Sequence, residues 1–155
     1  MSASVATHSD PVWRSRSDFI VAATINPGET EVETEQLWAR RVDESRVELC
    51  CIPFFLYDVA LGDILVVDAE FIYQSVAERS GRYVFRAWFG ESTYPADVME
   101  RGLLEVEALF EWSSKNLVAI DARDADHAQL VADFLQDLQD RGELIFETGK
   151  MFSAD

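Results

Sequence analysis

The sequence predicts an α+β fold in two unlike halves: an N-terminal small antiparallel β-barrel-like half, then a ferredoxin-like β-α-β-β-α-β half. Three observations predict it. Residues 19–80 hold apolar runs of strand character separated by turn signals, with no helical period. Residues 81–149 interleave two helical stripes with short strands. Finally, 48% apolar residues over 155 positions are enough for a core without disulfide or metal support.

Each element has its own reason. Residues 1–18 are polar and Ser-rich, carry Arg14 and Arg16, and read as a poorly ordered extension despite Trp13. Residues 19–25 are apolar and β-compatible, and Asn26-Pro27-Gly28 punctuates a turn. Residues 36–42 and 46–52 form a strand pair across Asp43-Glu44-Ser45, ended by Pro53. Gly62-Asp63 turns into a strand at 64–67, and residues 71–78 continue in the same style. The second half opens with the strand RYVFRAWF at 82–89. Pro95 starts a helix whose stripe is Met99, Leu103, Val106 and Phe110. Strands at 110–112 and 117–120 flank the turn Ser113-Ser114-Lys115-Asn116. Asp124 caps a second helix with His127, Val131, Phe134 and Leu138 on its apolar face, Arg141-Gly142 ends it, and residues 143–147 form the last strand before a tail at 150–155.

Charge narrows the function. Twenty-nine acidic residues against 13 basic give a net charge of -16, which repels nucleic-acid phosphates and anionic membranes and favours steering toward a basic protein partner. No stretch of about 18 apolar residues is present to cross a bilayer, and the N-terminus lacks the basic-then-apolar order of a secretory signal, so a cytoplasmic address is expected. The adjacent Cys50 and Cys51 read as free thiols on opposite sides of a strand, one in the core and one on the surface.

The strings Leu37-Trp38-Ala39-Arg40, Ile52-Pro53-Phe54-Phe55-Leu56-Tyr57, Ala60-Leu61-Gly62-Asp63 and Arg79-Ser80-Gly81 resemble the pattern of the bacterial domain of unknown function 4265 family. Leu117-Val118-Ala119-Ile120-Asp121 and Gly142-Glu143-Leu144-Ile145-Phe146-Glu147 fit its second half, so the resemblance covers residues 19–149. It implies a bacterial cytoplasmic setting and supplies no catalytic residues.

Three groups of residues are candidates for function. Asp121, Asp124, Asp126 and His127 bring three carboxylates and an imidazole within seven positions, yet a strand end, an N-cap and acids in a first helical turn explain the same pattern. No HExxH, EF-hand, P-loop or GxSxG motif accompanies them, so neither a metal nor another cofactor is expected. Phe54, Phe55 and Tyr57 beside Asp58 and Asp63 make a loop too apolar for a linker: either a pocket or contact surface whose acids receive a ligand amine or a partner's Arg, or packing that plugs the barrel end or joins the halves. Between Glu91 and Glu147, fourteen acids face only Arg101, Lys115, Arg123 and Arg141, an excess of ten that the reading places on exposed helical faces. Asp133, Asp137 and Asp140 represent that surface.

The sequence therefore favours binding over catalysis. Its sharpest form is an immunity-type protein that binds and blocks a basic toxin or effector through the acidic surface and the aromatic loop. The alternative is a ligand-binding regulator or small enzyme with a pocket where the halves meet.

Overall fold

Alternation of inward apolar and outward polar residues lays down the first sheet. A computed structural model describes residues 4–25 and 32–148. Asn26-Pro27-Gly28, Met1 to Ala3 of the N-terminal extension and the 150–155 tail lie outside them. The strands are β1 (Val5–Ala6), β2 (Phe19–Thr24), β3 (Thr34–Arg41), β4 (Arg46–Leu49), β5 (Ile64–Val67) and β6 (Tyr73–Glu78). Val21 and Ala23 of β2, Leu37 and Ala39 of β3, Val47 and Leu49 of β4, and Leu65 and Val67 of β5 face one core. Strands β2 to β6 pair antiparallel in sequence order, while β1 runs parallel to β3 at Val5↔Thr34.

The sheet curls without closing. The Ala22 N–H donates to the Phe71 carbonyl at 3.1 Å, beside one isolated bridge Ala22↔Ile72. A single bridge is no ladder, so the barrel-like half expected from the sequence is corrected to a strongly curled sheet. Register shifts along the β5–β6 pair bend that edge, as bulges do.

The second half follows the predicted element order: β7 (Tyr83–Trp88), α1 (Ala96–Glu105), β8 (Leu109–Ser114), β9 (Leu117–Ala122), α2 (Ala125–Asp140) and β10 (Ile145–Thr148). The sheet order is β10-β7-β9-β8, antiparallel throughout. Met99 and Leu103 of α1 and Val131, Leu135 and Leu138 of α2 pack on Phe85, Ala87, Val118 and Ile120, forming one core. Val84, Leu117 and Ala119 point the other way, onto Ile52, Phe54 and Ala60 of the segment between β4 and β5. That segment is the layer between the two sheets. It explains why β9 is buried at all six positions, since neither face of the strand meets water.

Two expectations differ from this architecture. Residues 4–18, read as a poorly ordered extension, include a paired strand, a 3₁₀ turn at Arg14–Arg16 and a His8 that is 3% exposed. The Trp13 N–H donates to the Cys50 carbonyl, and the Trp38 indole N–H donates to the His8 carbonyl, both at 3.1 Å. Cys50 and Cys51 are both buried, because the chain leaves the strand after Leu49 and alternation stops there.

Candidate functional site

The acidic surface is built on α2. Asp124 starts it by accepting the His127 backbone N–H at 2.8 Å. With 3.6 residues per turn, Val131, Leu135 and Leu138 form the buried stripe, while Asp133, Asp137 and Asp140 are exposed on the outer side. Leu135 replaces Phe134 at the centre of that stripe, and Phe134 is half-buried on the shoulder facing Gly102 of α1. Asp133 and Asp140 accept only the side-chain amides of Gln129 (2.9 Å) and Gln136 (2.8 Å). Asp137 lies 3.2 Å from Arg141 in an exposed ion pair, which contributes little to stability.

Not all the acids belong to this surface. Of the fourteen between Glu91 and Glu147, nine are exposed, but Glu111 on β8 and Asp121 on β9 are buried at 4% and 1%. Asp121 pairs with Arg82 at 2.5 Å. The Asp121/Asp124/Asp126/His127 group is thereby divided. His127 Nδ1 accepts the Arg123 backbone N–H at 3.0 Å, leaving Nε2–H to donate to the Val106 carbonyl at 2.6 Å. Among the described residues, no group of three or more His, Cys, Asp or Glu side chains is placed to hold a metal ion.

The aromatic loop is divided in the same way. Phe54 is 1% exposed in the layer between the sheets, so as a contact residue it is out of a partner's reach. Phe55 and Tyr57 are half-buried. The Tyr57 hydroxyl donates to the Glu147 carboxylate, and its ring stacks on the Arg86 guanidinium at 4.5 Å. Asp58, in the left-handed region at φ 64°, pairs with Arg79 at 3.0 Å. Asp63 is internal: it accepts the backbone N–H groups of Ala60 (2.9 Å) and Ser80 (2.8 Å) and fixes the turn.

Sequence reasoning missed a buried polar constellation among the described residues. His8 lies between two carboxylates, with Nε2 2.7 Å from Glu35 of β3 and Nδ1 2.7 Å from Glu111 of β8. The side chains of all three are 0–2% exposed. Glu35 also accepts the N–H groups of Phe54 (2.7 Å), Phe55 (3.0 Å) and Leu56 (3.0 Å), while Glu111 accepts those of Ile52 (2.8 Å) and Val12 (3.2 Å). The Phe54 ring stacks on His8 at 4.1 Å and 6°.

Burial opposes charge on His8, but the groups around it (Cys51, Glu111 and Glu35) reverse the balance and raise its pKa to about 12. Burial also pushes the Cys51 thiol up, so at neutral pH the negative charge comes from the carboxylates. Glu35 is held below the usual carboxylate range: burial opposes its ionisation, and His8 and the backbone N–H groups of Phe54 and Phe55 outweigh that. Arg86, 1% exposed, completes the layer by donating to the carbonyls of Pro53 and Leu56. Glu35 in phase with Leu37 and Ala39, and Arg86 inside an apolar strand, were the available signals. The lead-in offered none for His8.

His8, Glu35 and Glu111 are buried, and their hydrogen bonds hold the two sheets and the loop together. The accessible chemistry is the α2 surface. Residues 35–146 match a family model described as Domain of unknown function (DUF4265). A solved structure described as a novel crystal structure of a hypothetical protein from Neisseria gonorrhoeae is similar with a TM-score of 0.72. It shares 14% identity, over 87% of this chain and 96% of that one, a likeness of fold alone. No curated protein matches the chain by sequence.

Proposed function

We propose that this chain, which belongs to the family described as domain of unknown function 4265, is an acidic interaction protein that docks a basic protein partner on the outer face of α2. The observation that carries the reading is the row Asp133, Asp137 and Asp140, exposed on a helix whose opposite side is anchored in the core. A row of like charge on a rigid element attracts an oppositely charged partner and accelerates encounter without needing an active site. In its sharpest form the protein is immunity-type: it occludes a basic toxin or effector in the bacterial cytoplasm, with Tyr57 and Asp58 as further contacts. The second half is read as ferredoxin-like, supported by the order β10-β7-β9-β8 and by the packing of both helices into one core.

Affinity capture with wild type and with Asp133→Asn/Asp137→Asn/Asp140→Asn tests the reading. A basic protein retained by the wild type and lost from the folded triple variant supports it; equal retention refutes it. The second reading, a ligand-binding regulator, has a cleft of about 490 Å³ lined by Trp88, Ser92, Gln139, Leu144 and Ile145, which lies within the second half and not where the halves meet as the sequence led us to expect. A small molecule co-purifying in that cleft would move the function there.

A further inference from the structure

We propose that the junction of the two sheets is an imidazolium receptor filled in cis by His8, so that residues 4–17 form a latch that pins the halves to each other. The receptor is assembled largely from parts outside the latch, whose Val12 N–H adds one bond to Glu111. Glu35 is oriented from the first sheet by three backbone N–H groups of the 54–56 segment. Glu111 is oriented from the second sheet by the Ile52 N–H, and Phe54 supplies a flat aromatic floor parallel to the bound ring. Both carboxylates and Phe54 lie inside the family-matched residues 35–146, whereas His8 comes from outside them.

The stoichiometry of protons identifies the ligand. Each ring nitrogen of His8 faces a carboxylate at 2.7 Å, and a neutral imidazole has one N–H where this site uses two. With both carboxylates ionised, the cation alone satisfies both partners. The groups facing the ring are Glu35 from β3, Glu111 from β8 and the Cys51 thiol from the loop, with Arg86 of β7 acting on Glu35 from behind. Elsewhere the latch is held by the two-residue strand β1, by backbone bonds at Ser4 and Trp13, by the Trp38 indole on the His8 carbonyl, by the Val12 N–H on Glu111 and by the Arg16–Glu48 ion pair at 2.5 Å. His8 is its anchor.

The test uses the full chain with His8→Gly, melted at a pH where imidazole is protonated. Imidazole should raise the melting temperature saturably, by about 5–10 °C at roughly a hundredfold excess over its Kd, and leave the wild type unmoved. Protonated 1-methylimidazole, with one N–H, should give much less. In the wild type, nitrogen-15 shifts of His8 should show both ring nitrogens protonated at pH 8, a measurement independent of whether the variant folds. A neutral His8 ring, a variant indifferent to imidazole, or one equally responsive to the methylated ring would overturn the receptor.

Discussion

Burying a histidine between two carboxylates makes the interior respond to pH from both sides. The folded pKa of His8, about 12, lies above its ordinary 6.5, so its contribution is full below 6.5 and drains as pH rises toward 12. Glu35 runs the other way. Held below its ordinary 4.5, it contributes fully above that value and loses its contribution as pH falls through its folded pKa. The network is therefore strongest between 4.5 and 6.5. His8→Gln should cost about 3–5 kcal/mol at pH 6, because two buried carboxylates lose their cation. It should also remove an alkaline slope of up to about 1.4 kcal/mol per pH unit. Urea unfolding at pH 6, 8 and 10 measures both effects; parallel pH curves for the two proteins would show that His8 is not charged in the fold.

At the scale of elements, the second half depends on how closely α1 and α2 approach. A Cβ at Gly102 would sit 2.6 Å from the Phe134 ring, closer than side chains tolerate. In a free helix Gly→Ala stabilises by about 1 kcal/mol. Here Gly102→Ala should instead destabilise by about 1–2 kcal/mol through overpacking, and become stabilising in a Phe134→Ala background. Chemical denaturation of the four proteins checks the change of sign. Asp124→Ala removes the side-chain cap of α2 and should cost about 1 kcal/mol, read from the same curves. The helices were legible in the sequence because a cap, a 3.6 period and a stop signal are all local. Phe134 was placed in the core stripe because spacing alone does not say which shoulder meets the neighbouring helix. The close approach at Gly102 decides it.

At the scale of the molecule, charge is divided between a buried network that ties the two sheets and an exposed acidic surface. The division was only half legible. The total excess and the exposed aspartates of α2 could be read directly, but Glu111 and Asp121 were counted as surface because their partners, His8 and Arg82, lie 103 and 39 residues away. A Ser-rich, polar lead-in gave no local sign that its histidine enters the core. Similarly, the segment after Pro53 could be recognised as too apolar for a linker, while its place between two sheets became apparent only from the fold. No helix of the described residues is long and apolar enough to cross a membrane. The exposed acids, separable from the buried ones, are proposed to recruit a basic partner. Stopped-flow association of the captured partner with wild type and with the Asp133/Asp137/Asp140 triple Asn variant, across a salt series, tests it most directly. The on-rate should fall with salt for the wild type, with a lower, flatter dependence for the variant at unchanged melting temperature. An on-rate indifferent to both salt and substitution would contradict it.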